Sequence, residues 1–210
     1  MFSNHFSTSI LPISATDLKR KLQHNSLIVD TRFIHSILKT GSIPNVIFIG
    51  IQGNLEGWSH VLVEDKTVET YLIIEENIDI NELYLRFQRA GFTNIKAYLA
   101  GGMESWIQEN FPVEPYQFIN PSDFINKMDQ IDFQTIIDVR TEREFQQQHI
   151  KGSKNIPIEN LIYFLDEFNP KNQYYIICQG GYRSIIAASI LKRNGIHHTI
   201  DMIGGIKNLT

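Results

Sequence analysis

Cysteine occurs once in the 210 residues, at Cys178. A single cysteine excludes an internal disulfide and a multi-cysteine zinc site, and it suits a reducing, cytoplasmic setting. No run approaches about eighteen consecutive apolar residues, so neither a transmembrane helix nor a membrane partner is expected. A basic surplus is missing too. Lys and Arg total 19 against 23 Asp and Glu, a formal net charge of −4, which argues against a general nucleic-acid partner. The leading MFSNHFSTSILPIS lacks both a basic n-region and a continuous apolar core, so it does not read as a signal peptide. No metal motif of the HxHxDH kind is present, and no metal or other cofactor is implied.

What is there repeats. SLIVDTR, ending at Arg32, matches TIIDVR, ending at Arg140; both are apolar runs closing on Asp-x-Arg. TGSIP around Gly41 matches KGSKNIP around Gly152, and YLII ending at Ile74 matches YYII ending at Ile177. RAGF around Gly91 matches RNGI around Gly195, and YLAGG at Gly101 and Gly102 matches MIGG at Gly204 and Gly205. Landmarks recurring in one order indicate two related halves. Between them FPVEPYQFINPSD, with Pro112, Pro115 and Pro121, reads as a short extended linker. The expected domains are 1–114 and 115–210.

Strand and helix alternate within each half. In the second, Ser122 is expected to cap a short helix with Phe124, Ile125 and Met128 on one face. Thr141 and Glu144 have capping-box spacing. IENLIYFLDEF suits a helix, and another is expected from Ser184 to Asn194, with Ile186, Ile190 and Leu191 on one side and Gly195 as its stop. This alternation implies an α/β fold, a mostly parallel sheet covered on both faces. Ligands of such sheets bind beyond the carboxyl ends of the strands, where Cys178 falls.

The loop after YYII is Cys178-Gln179-Gly180-Gly181-Tyr182-Arg183-Ser184. Its glycines can curl the backbone until successive N–H groups face one point, and a following helix adds the positive end of its dipole. Arg183 adds a permanent charge. A thiolate at the centre of such a cradle is stabilised and nucleophilic. A lone cysteine after an apolar strand is otherwise a small buried hydrophobe, but an inert one needs neither an amide-lined turn nor a guanidinium. Asp138 and Arg140, at a strand end, read as supporting groups that pair with neighbouring loops. His197 and His198 read as surface residues.

These motifs together resemble the rhodanese family of sulfurtransferases. In the family's order the second half carries Asp138-Val139-Arg140, Glu144-Phe145, His149-Ile150-x-Gly152-Ser153-x-Asn155-Ile156-Pro157, Cys178-x-x-Gly181-x-Arg183-Ser184 and Gly204-Gly205. Departures are Gln148 where Gly is usual, Ser153 where Ala is usual, and no Trp after the final glycines. The resemblance implies two five-stranded rhodanese-like domains. It also implies transfer of sulfane sulfur from thiosulfate or a persulfide, through a Cys178 persulfide held by the amides of Gly180 to Ser184, to a thiol, cyanide or sulfite acceptor. Arg183 follows the cysteine by five positions; related phosphatases and arsenate reductases use a loop one residue longer, so phosphatase-like chemistry is the weaker alternative. A non-catalytic sulfur-carrying, sensing or scaffold module is the other.

The first half resembles the family less. AGGMESW, Ala100 to Trp106, keeps the closing motif, but YLII is followed by Glu75, Glu76, Asn77, Ile78 and Asp79. Glu75 takes the cysteine's place, no glycine or arginine follows, and three carboxylates would repel an anionic donor. This half is expected to be catalytically inactive. An inactive domain before an active one resembles the tandem sulfurtransferases and the paired rhodanese region of metallo-β-lactamase/rhodanese fusions, which suggests a separate persulfide-metabolising protein as partner.

Overall fold

The computed structural model describes residues 10–22 and 26–209. Most of the leading segment read for a signal peptide, Met1–Ser9, lies outside them. The first half runs β1 (Leu11–Ile13), α1 (Ala15–Lys21), β2 (Leu27–Asp30), α2 (Ile34–Thr40), β3 (Ile47–Phe48), α3 (Leu55–Leu62), β4 (Thr70–Ile73), α4 (Ile80–Arg89), β5 (Ile95–Leu99) and α5 (Gly102–Gln108). The second runs β6 (Gln117–Ile119), α6 (Pro121–Lys127), β7 (Ile136–Asp138), α7 (Glu142–Gln147), β8 (Lys154–Asn155), β9 (Tyr174–Ile177), α8 (Tyr182–Arg193) and β10 (Thr199–Met202), with 3-10 turns at Ile158–Glu167 and Ile206–Asn208.

Two five-stranded sheets result, in the orders β1-β5-β4-β2-β3 and β6-β10-β9-β7-β8. Their strands pair in parallel, as helical crossovers require. β2, β4, β7 and β9 are buried along their whole length, which is why they read as unbroken apolar runs. By compactness the described chain divides into Ile49–Phe111 with the described part of Met1–Phe33, and Ile34–Phe48 with the described part of Pro112–Thr210.

In the second unit the core gathers on Phe124, Tyr175, Ile177, Met202 and Ile206. The Phe124 and Tyr175 rings meet edge-on with centroids 5.5 Å apart. This core fixes β9 and β10 beneath the loop that carries Cys178.

Several expectations are revised. Asn120, not Ser122, stands at the N-cap of α6, because Pro121 suits the first helical position and starts the helix two residues earlier. Phe124 is buried but Ile125 is 51% exposed, so the buried face is narrower than expected. IENLIYFLDEF winds as 3-10 turns, not an α-helix. α8 begins at Tyr182, two residues before the expected Ser184, and is buried all along Ser184–Lys192 rather than on one side. The expected linker is also partly built into the fold. Gln117–Ile119 is the edge strand of the second sheet, and Glu114 binds both Lys192 (2.9 Å) and His197 (3.1 Å). Both His197 and His198 are exposed.

Candidate active site

β9 ends at Ile177 and α8 starts at Tyr182, leaving four residues, Cys178 to Gly181, to turn between them. Gly181 stands at the N-cap of α8 with φ +90°, a conformation that costs a side-chain-bearing residue energy. No side chain caps this helix start. The Gly181 N–H instead donates to the Cys178 sulfur at 3.0 Å. The Ser184 hydroxyl, in the first turn, lies 3.3 Å from the same sulfur. The sulfur therefore accepts the backbone N–H of the N-cap residue at a helix start that no side chain caps.

Cys178 is 1% exposed and lies on the floor of the loop. Burial alone would equally suit an inert core thiol; the two polar contacts to Sγ are what set it apart. The closing glycine pair seals that floor from behind. A Cβ on Gly205 would fall 2.4 Å from the Cys178 carbonyl oxygen, so only glycine permits the approach. The Ile206 N–H donates to the same carbonyl at 2.8 Å.

The expected cradle residues divide by what they touch. Gly181 and Ser184 reach the sulfur directly. Gln179 is exposed, and its side-chain carbonyl accepts from Arg140 Nη1 at 3.2 Å. Gly180 is exposed, and a Cβ on it would stand 3.9 Å from the Lys207 ammonium. Tyr182 packs its ring near Phe48 at 6.0 Å, within the second unit. Arg183 does not stand over the sulfur as an unpaired charge: its guanidinium forks onto Glu144, at 2.7 and 2.6 Å. That pairing holds the Arg183 pKa above its ordinary value, with the Cys178 and Asp138 charges adding smaller contributions. It also pulls the Glu144 carboxyl down to about 2.

Glu144 is a site residue whose second task the sequence hid. It completes the capping box with Thr141, which its spacing announced, and it also binds a guanidinium 39 positions away, which no local pattern could show. Asp138 and Arg140 form a buried ion pair. Arg140 meets both carboxylate oxygens, Nη2 at 2.7 Å and Nε at 3.0 and 3.1 Å. Asn155 then ties the carbonyls of Asp138 and Arg140 together through its Nδ2, at 2.9 Å each. His149 stacks on Phe145 at 4.1 Å and lies away from the sulfur contacts. Asp201, a lone carboxyl inside the apolar run HTIDMI, is 3% exposed, and burial pushes its carboxyl well above the ordinary aspartate range. A charged residue in a buried strand was the one signal that could have singled it out. Among the described residues no group of three metal-ligating side chains gathers, and no helix is long and apolar enough to cross a membrane.

The rhodanese-like domain model matches the chain twice, over residues 14–109 and 120–210. The Bacillus subtilis protein YrkF, described as a candidate sulfur carrier, is 35% identical over 75 residues, which cover 36% of this chain and 40% of that protein. The Escherichia coli thiosulfate sulfurtransferase PspE is 32% identical over 77 residues, covering 35% of this chain and 71% of PspE. A rhodanese-like domain protein of Staphylococcus aureus of known structure is 31% identical, covers 45% of this chain and 91% of its own, and superposes with a TM-score of 0.42. The chain thus spans about two-fifths of YrkF, and 57% of a second Bacillus subtilis relative, YqhL. With both halves matched by the same domain model, the chain belongs to the rhodanese-like family.

Proposed function

We propose that the second half, 115–210, is a sulfurtransferase working through a Cys178 persulfide, and that the first half, 1–114, takes no part in the chemistry. The observation that carries this reading is the Gly181 amide at 3.0 Å from the Cys178 sulfur, at the unplugged start of a twelve-residue helix. An amide and a helix dipole aimed at a sulfur favour its anion, and the thiolate is the reactive form.

In the first half-reaction the thiolate attacks the outer sulfur of an anionic donor, thiosulfate or a persulfide. The donor's sulfur–sulfur bond breaks, its electron pair leaves with sulfite or with the donor thiolate, and Cys178 becomes a persulfide. In the second, a thiol, cyanide or sulfite acceptor attacks the terminal sulfur and Cys178 returns as thiolate. Two half-reactions through one covalent intermediate predict ping-pong kinetics. No second cysteine is present to resolve the persulfide, so the acceptor comes from outside the chain, and a separate persulfide-metabolising protein is a fitting donor. This chemistry suits a reducing cytoplasm.

The 1% exposure of Cys178 favours one second reading, a sulfur carrier that loads but turns over slowly. Intact mass after thiosulfate treatment, followed by cyanide, separates the readings. An enzyme gains one sulfur and releases it as thiocyanate repeatedly; a carrier gains it and releases it only once. No gain in the wild type, or an equal gain in Cys178→Ala, refutes both.

A further inference from the structure

The closing turn of the second half is fastened to the cysteine loop, backbone against backbone. A Cβ on Gly205 would meet the Gln179 carbonyl carbon at 2.5 Å, and one on Gly181 would meet the Gly204 nitrogen at 3.3 Å. The Ile206 N–H donates to the Cys178 carbonyl at 2.8 Å, and the Ile206 side chain is buried in the core with Met202. Lys207 is the next residue of that turn and is exposed. Its ammonium stands 3.9 Å from where a Cβ on Gly180 would lie, and Gly180 is itself an exposed residue of the loop. The contacts that fix the turn therefore set a cation on the rim of the loop.

The two arginines near the loop are each bound to a carboxylate. Arg183 forks onto Glu144, and Arg140 meets both oxygens of Asp138. Each pair presents little net charge to an approaching ion. The internal repeat sets Lys207 apart as well. Gly204-Gly205-Ile206-Lys207 matches Gly101-Gly102-Met103-Glu104 in the half without the cysteine. Ile206 and Met103 are both buried, while Lys207 and Glu104 are both exposed. The buried position keeps its character, and the exposed one reverses its charge.

We propose that Lys207 is a specificity-determining residue: its ammonium draws small anionic donors onto the Cys178 loop and favours them over neutral ones. This deepens the sulfur-transfer reading and rests on it for its use. The charge acts from the rim, so it aids encounter and binding and leaves the reacting sulfur atoms to the loop. In water a unit charge about 6 Å from a monoanion favours it by about threefold. A dianion such as thiosulfate doubles the energy and squares the factor, to about tenfold. Both factors fade with salt, because the screening length shrinks to about 3 Å at 1 M.

The test labels Cys178 with iodoacetate and with iodoacetamide, an anion and a neutral reagent of similar size, at low salt, read by intact mass. The ratio of the two rates cancels the thiolate fraction, and it needs no sulfur donor. Lys207→Ala should lower the iodoacetate-to-iodoacetamide ratio by about threefold. Lys207→Arg should keep it, and Lys207→Glu, which installs the other half's charge, should lower it further. About 1 M salt should erase these differences. Lys171→Ala removes an exposed charge ahead of β9, at the end away from Cys178, and should leave the ratio as in the wild type. Thiosulfate uptake by Lys207→Ala should fall by about tenfold at low thiosulfate and recover at saturation. An unchanged ratio in Lys207→Ala overturns the proposal. So does an equal slowing with both reagents, which would mean that the lysine serves only the thiolate. An equal fall in Lys171→Ala overturns it too, since net charge would then be the cause. If the ratio falls as expected while thiosulfate fails to load the wild type, the sulfur-transfer reading falls and the cationic rim stands. If thiosulfate loads and the ratio ignores Lys207, the transfer reading stands and Lys207 has no part in it.

Discussion

β4 and β9 are the same strand used twice. Each lies between two parallel neighbours in a five-stranded sheet, each is buried throughout, and each leads through a short loop into a helix. What stands at the start of that helix differs. At α4 the Asp79 carboxylate accepts from the N–H groups of Asn81 and Glu82, at 2.9 and 3.2 Å. At α8 no side chain caps, and the Gly181 amide turns to sulfur. Glu75, in the cysteine's place, is spent on the Phe33 N–H at 2.7 Å. The first loop has answered its orphan amides with its own carboxylates, and the second has kept them for a thiol. The Asp-x-Arg pair, by contrast, survives unchanged. Arg32 grips Asp30 with Nη2 at 2.7 Å and Nε at 3.0 Å, the same distances as Arg140 on Asp138. A feature that persists where the cysteine is gone belongs to the fold, and one that vanishes with the cysteine belongs to the chemistry.

The largest effect expected from breaking this comparison is on stability, equally in both halves. Arg32→Ala and Arg140→Ala each strand a carboxylate in the interior, with Asp30 and Asp138 0% and 1% exposed. Loss of one partner from a buried pair costs about 3–5 kcal/mol. Urea unfolding should show losses of that size for both variants. A variant that unfolds like the wild type would mean that its half does not depend on the pair. Arg140→Ala alone should also disturb sulfur loading, since it removes the anchor of Gln179.

A smaller effect separates the halves by function. Arg86 forks onto Glu56 in the first half much as Arg183 forks onto Glu144 in the second. Both carboxyls are drawn from 4.5 to about 2, chiefly by hydrogen bonds from their arginines. A depressed carboxyl contributes stability that is complete above about pH 4.5 and fades as pH falls toward 2. Both pairs are partly exposed, so solvent screening leaves about 1 kcal/mol each. Glu56→Gln and Glu144→Gln should lose that much at pH 7, and the deficit should shrink on acidification. Only Glu144→Gln should also alter the rate of sulfur uptake, because it frees Arg183 beside the cysteine loop. Equal effects of both variants on uptake would break the assignment of roles.

How much of this was legible depends on how local each interaction is. The alternation of strands and helices, the Thr141–Glu144 capping box and the halt of α8 at Gly195 (φ +84°) rest on near neighbours in sequence, and periodicity or spacing carried them. The cysteine loop was legible because one strand end, two glycines and a helix start are consecutive. The partner of Arg183 and the approach of Gly205 to the Cys178 carbonyl are long-range. They arise only when β7, β9 and β10 are laid side by side. α8 defied the one-sided reading for a similar reason: with Ser184 through Lys192 all buried, its sequence has no wet face to set a helical stripe.

The smallest stability effect tests what the first loop would need in order to recover. Asp79→Ala removes the acceptor of two helix-start amides and should cost about 1 kcal/mol, the usual worth of an N-cap. Glu75→Cys, placed in a Cys178→Ala background, puts a thiol where the cysteine stands in the other half. It should take up no sulfur from thiosulfate by intact mass. α4 remains plugged by Asp79, Glu76 still repels an anionic donor, and no glycine stands at the helix start to turn an amide onto the sulfur. Adding Asp79→Ala opens the amides but leaves the turn unchanged, so uptake should remain absent. Uptake by either variant would show that a thiol at this strand end suffices, and that the glycine turn and its inward amide are not what separates the two halves.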